Sequence, residues 1–298
     1  MAKTKRASRT APLKRTCGTM AAHMGLLERF PGLHARLYRL EQETSRRQRL
    51  AVDFRRLRLA TIKVVVNVVH RIAAENVSLA QIRSQIAVLN RDFAARNPDR
   101  AGVPAPWQGL VTDSRVRFKL VRVTRTPTTR TSFTWDDGVK KVSTGGIPPY
   151  RPNTHLNLWV CALSGGLLGY AQFPGGPAST DGVVINYRAF GTLGTAQAPF
   201  NKGRTTTHEV GHYLNLRHIW ADTDDCSGSD NVADTPNCAG PNYGTPSFPT
   251  ISCNNGPNGD MFMNYMDYVD DPAMFMFTSQ QVLRMRTALA ALRRGLVR

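Results

Sequence analysis

Three of the chain's seven histidines, His208, His212 and His218, fall within eleven consecutive positions. No other feature constrains the fold of these 298 residues as tightly. His208 and His212 are four apart, so on an α-helix they stand one above the other on the same face. Two imidazoles so placed hold one Zn²⁺ at about 2.0–2.1 Å each. Glu209 follows the first histidine, which directs its carboxylate to a water in the metal's open position and not to the metal itself. His218 lies too far round a continuing helix to join the pair. The helix must stop in between, and Asn215 is where it can: asparagine comes second to glycine in taking the left-handed conformation that ends a helix. The chain then turns back and brings His218 to the same ion. Three protein ligands leave a fourth position for water, the layout of a catalytic zinc site and not of a structural one.

The stretch Thr207-His208-Glu209-Val210-Gly211-His212-Tyr213-Leu214-Asn215-Leu216-Arg217-His218 resembles the long zinc signature of the metzincin metallopeptidases, His-Glu-x-x-His-x-x-Gly-x-x-His, with Asn215 in place of the glycine. More closely, the chain resembles the pappalysin family. His-Ile-Trp-Ala-Asp at 218–222, Val-Ala-Asp-Thr-Pro at 232–236 and Met-Phe-Met-Asn-Tyr-Met-Asp-Tyr at 261–268 carry that likeness. Arg15-Thr16-Cys17-Gly18-Thr19-Met20 is similar to the start of the family's prosegments. The resemblance implies an α/β zinc endopeptidase: a twisted mixed sheet with an antiparallel edge strand, and a smaller C-terminal subdomain with a terminal helix. It implies that Glu209 is the general base and that Tyr268 hydrogen-bonds the developing oxyanion. Met266 would form the tight turn beneath the metal, and Asp270 or Asp271 would line the pocket for the residue after the scissile bond. A carboxylate there favours Arg or Lys. The resemblance further implies a Cys226–Cys253 disulfide, structural calcium around Asp230, Asp234 and Thr235, and latency through Cys17, since a thiolate is itself a zinc ligand. An inert Cys17 thiol and a plain solvated acidic loop are the alternatives to the last two.

The net charge of +18 is unevenly spread. Residues 1–60 carry 15 Lys/Arg against 4 Asp/Glu, 15 − 4 = +11, and the other 238 residues carry +7. We read residues 1–60 as a basic prosegment-like region and 61–298 as the catalytic domain. Residues 1–16 lack periodicity and read as disordered; residues 45–58 read as an exposed basic linker open to nicking. The rival reading is a basic nucleic-acid-binding protein with a structural metal. It needs a fourth ligand, for which Cys226 is the only near candidate. Protein or peptide is therefore the expected partner, nucleic acid is not, and a monomer is expected. No apolar run is long enough to span a membrane, and no secretory signal is visible, although the family and a disulfide favour an extracellular setting.

Helical spacing in residues 20–49, broken at Pro31, predicts two short helices. Residues 61–70, 116–123, 155–163 and 183–187 read as strands, with residues 79–95 a helix behind an N-cap at Ser78. In residues 155–163, Leu156, Leu158 and Val160 alternate with polar or aromatic neighbours. Residues 165–176 hold an edge strand, and residues 124–149 are irregular. Thr278 to Gln281 forms a capping box that opens a helix to about Arg294, with Val282, Met285, Leu289 and Leu292 inward.

Overall fold

The computed structural model describes residues 14–50 and 56–297. In chain order its helices and strands are α1 (Thr19–Arg29), α2 (Gly32–Gln48), β1 (Ala60–His70), α3 (Leu79–Asp92), the single turn α4 (Ala105–Gln108), β2 (Val116–Pro127), β3 (Leu156–Cys161), β4 (Gly169–Ala171), β5 (Val183–Asn186), α5 (Arg204–Tyr213) and α6 (Ser279–Ala291). The sheet order is β2-β1-β3-β5-β4. β1, β2, β3 and β5 run parallel; β4 alone runs antiparallel, against β5 at the edge. The mixed sheet with an antiparallel edge strand is thus the one expected.

The β-branched run of β1 is buried from Val64 to Val69 because both faces of the sheet are covered. One face packs against α3, α5 and α6 through residues such as Val64, Ile82, Val210 and Met285. The other is covered by α1 and by residues 133–147, around Trp159, Tyr170 and Val139. This is why the expected alternation along residues 155–163 has no counterpart in burial: every residue of β3 is buried. Trp159 donates its indole N–H to the Ile147 carbonyl at 2.9 Å, so the irregular segment is the second layer and not a free loop. Asn67, the polar interruption of β1, spends its side chain across the sheet: Nδ2 donates to Asn157 at 3.2 Å and Oδ1 accepts from Thr124 at 2.5 Å.

Several expectations shift. Residues 1–13 and 51–55 lie outside the described residues, so disorder before residue 14 and nicking at 51–55 are not described. Residues 14–16, however, do not fit a disordered tail: Arg15 is 1% exposed. α2 is 17 residues long, not short, and takes in residues 45–48 of the expected linker. It is held by packing on α6 and by Glu41, whose carboxylate accepts from both terminal nitrogens of the buried Arg284 at 2.6 and 2.8 Å. α6 opens with the expected capping box at Thr278 and Gln281 but ends at Ala291. Leu292 lies one residue past that end and is exposed, so it does not join Val282, Met285 and Leu289 in the core.

Candidate metal centre

α5 is short because its sequence ends it. The helix closes with a Schellman motif, in which the Leu216 N–H bonds the Gly211 carbonyl at 3.0 Å and the Asn215 N–H bonds the His212 carbonyl at 2.9 Å. Asn215 sits at φ 77°, the left-handed conformation the motif requires. The reversal swings His218 back over the helix. The three Nε2 atoms of His208, His212 and His218 then lie 3.1, 3.0 and 3.2 Å apart in pairs.

Each ring is oriented from behind. His208 Nδ1 meets the Tyr265 carbonyl at 2.7 Å and His212 Nδ1 the Leu216 carbonyl at 2.7 Å; His218 Nδ1 meets Asp222 Oδ1 at 2.6 Å. A carbonyl or carboxylate oxygen only accepts, so each Nδ1 is the donor and each Nε2 keeps its lone pair. Burial first, and then the neighbouring imidazoles, push His208 and His212 well below the ordinary histidine range, so they stay neutral. Three imidazole nitrogens converging on one point suit a cation, and an all-imidazole donor set suits zinc.

Glu209 is 1% exposed, and burial pushes its carboxyl up to about 7. β4 passes so close that a Cβ added at Gly169 would lie 3.0 Å from Glu209 Cγ. Beneath the helix, the turn at 261–268 supplies the floor. Met266 is fully buried and sits against Gly211, where an added Cβ would come within 2.5 Å of Met266 Sδ. Met266→Ala should therefore cost about 2–5 kcal/mol of stability through the cavity it leaves, read as a lowered urea midpoint. Tyr268 lies over the site with its ring 4.9 Å from His218 and 4.6 Å from Trp220.

Residues 14–20 fill the cleft. Gly18 N–H donates to the Gly169 carbonyl at 2.9 Å and Leu168 N–H to the Thr16 carbonyl at 3.0 Å, so the segment pairs with β4, running parallel to it. Cys17 joins the three histidines, their ligand atoms all within 4.8 Å of one another. Thr19 Oγ1 donates to Glu209 at 2.8 Å. Arg15 reaches deepest: its guanidinium donates to Asp271 at 2.6 Å, to the Val269 carbonyl at 3.1 Å and to Thr205 at 3.0 Å. Of the two aspartates expected in the pocket, Asp271 is fully buried there and Asp270 is half-buried beside it.

Cys226 and Cys253 are joined in a disulfide, as the resemblance implied, which removes Cys226 as a fourth ligand. Asp230 and Thr235 face each other at 2.8 Å, and burial pushes the Asp230 carboxyl up to about 7. Asp234 points elsewhere, onto the start of α6, where it accepts from Thr278, Ser279 and the Gln280 N–H. Sequence reasoning did not single out Arg15, Thr19, Glu41 or Asp222. Only Asp222 carried a signal, a carboxylate one helical turn from His218, and it was lost among the acids of its loop.

Residues 151–290 match the family model described as pregnancy-associated plasma protein-A. An extracellular metalloprotease of Arthroderma benhamiae is 33% identical over 244 residues, 79% of each chain. Among solved structures, a promirolysin variant of Tannerella forsythia is 42% identical and covers 95% of this chain and 97% of its own, with a TM-score of 0.85. Mature mirolysin of the same organism, in complex with a cleaved peptide, is 46% identical and covers 81% of this chain and 96% of its own, with a TM-score of 0.79. The chain belongs to the pappalysin family of metzincin metallopeptidases.

Proposed function

We propose that the chain is a secreted zinc endopeptidase, made as a zymogen, that cuts proteins before basic residues. The observation that carries this reading is Arg15 on Asp271: the leader places a guanidinium on a fully buried carboxylate in the cleft, where the side chain after a scissile bond would sit. A substrate Arg or Lys would take the same partner once the leader is gone. Extended substrate would pair with β4, whose edge residues 14–20 now occupy. Zinc bound by the three imidazoles would supply Lewis-acid chemistry and lower the pKa of a water to about 7. Glu209, set beside the three imidazoles, would accept a proton from the attacking water and hand it to the leaving amine. Tyr268 supports the carbonyl oxygen as charge grows on it. Asp230 and Thr235 are the residues we would assign to a structural calcium.

Cys17 would block the site by setting its thiol beside the three imidazoles, and residues 1–60 form the leader. Promirolysin matches 95% of the chain and mature mirolysin 81%, which supports this division. Relatives described as extracellular metalloproteases support export. The test is casein hydrolysis with and without a chelator, followed by a cleavage profile on a peptide library. We expect chelation to abolish hydrolysis, zinc to restore it, and Arg or Lys to dominate the position after the cut. Hydrolysis that survives chelation would overturn the metal assignment, and a profile without basic enrichment would overturn the role of Asp271.

A further inference from the structure

The structure assigns a positioning role to Asp222: we infer that its carboxylate fixes the ring and tautomer of His218 and so sets the strength of the metal site. This goes beyond the catalytic roles above and rests on the zinc reading. His208 and His212 are oriented by backbone carbonyls that the fold supplies regardless of side chain. His218 alone leans on a side chain, Asp222 Oδ1, at 2.6 Å. It is also the one ligand outside α5, carried by the turn after the helix, so nothing in regular secondary structure holds it.

Two further observations point the same way. Ala221 and Asp222 both have positive φ, 58° and 59°. Consecutive left-handed residues with side chains are disfavoured, and such strain persists where the surroundings over-determine it. Here the kink folds Asp222 back onto the ring nitrogen it bonds, while the Ala221 N–H closes on the His218 carbonyl at 2.9 Å. One face of the His218 ring is covered by Trp220, stacked at 4.4 Å and 9°. The indole fixes the plane of the imidazole but not its rotation within that plane. A hydrogen bond at Nδ1 fixes that rotation and, being to an anion, makes Nε2 the better donor to a cation.

The experiment measures zinc affinity by competition with a chromophoric chelator. It uses the full chain carrying Cys17→Ser, so that the thiol does not ligate in any variant. Asp222→Ala should bind zinc about 10–100-fold more weakly than its parent, and Asp222→Asn, whose amide oxygen still accepts, should lose less. The cobalt-loaded Asp222→Ala protein should show a shifted visible spectrum, while the metal-free forms melt alike. Affinity within twofold of the parent with an unchanged cobalt spectrum overturns the inference, as does a loss matched by a lower melting temperature of the metal-free form. If Asp222→Ala does not fold, Asp222→Asn carries both readouts. A parent chain that binds no zinc would sink the metal assignment itself, a result distinct from either.

Discussion

The Glu209→Ala chain will load zinc like the wild type and lose peptide hydrolysis by about 10²–10⁴-fold, the range that a positioned general base contributes. Glu209 is separable from the metal because it bonds Thr19 and Cys17, not an imidazole. Removing it leaves every histidine with its orienting partner. Truncation to alanine shortens a side chain that faces Gly169 of β4 and adds no clash, so the fold has no reason to fail. The same variant should stay uncut on incubation, whereas the wild type should cut itself within residues 46–58. N-terminal sequencing decides the point, and equal cutting in both proteins would point to an outside protease. A variant that hydrolyses peptide at the wild-type rate would remove Glu209 from the mechanism.

The second large effect is expected at Arg15. Its guanidinium is buried, holds Asp271 at 2.6 Å and lies 5.0 Å from the centre of the Phe200 ring. Removing one member of a buried ion pair costs about 3–5 kcal/mol. The lower end applies, because Asp271 Oδ2 keeps its bonds from the Lys202 and Arg204 N–H groups at 2.7 and 3.2 Å. A loss of about 3 kcal/mol raises the open fraction of the zymogen roughly a hundredfold. Uncut Arg15→Ala chain should therefore hydrolyse a short fluorogenic peptide at least ten times faster than uncut wild type, with Arg15→Lys in between. An Arg15→Ala zymogen as silent as the wild type would show that Cys17 suffices for latency.

Much of the site was legible before any coordinates because its information is local. The i, i+4 pair on α5, the stop at Asn215 and the capping box of α6 are each set by a few neighbouring residues, and each appears where expected. The strand runs were legible for the same reason. What the sequence hid is non-local. Arg15 and Asp271 are 256 positions apart and Glu41 and Arg284 are 243 apart, and nothing in either neighbourhood announces the other. Burial of Trp159 in β3 depends on residues 133–147 folding over it, and Asn157 is capped by Tyr150, so an alternating pattern could not reveal either. Leu292 erred in the opposite way: the helical spacing was right, but the helix ends one residue short of it.

Asn215 does more than end a helix. Its side-chain amide reaches Glu41 of α2 at 3.4 Å and its carbonyl accepts from Arg284 at 3.3 Å, so α2 is fastened to the turn that joins His212 to His218. A glycine at that place, as in the usual family signature, could make the turn but has no side chain to offer α2. α2 and this turn are thereby matched as a pair, and an α2 grafted between relatives that differ at this one position would arrive with a handhold missing or unused.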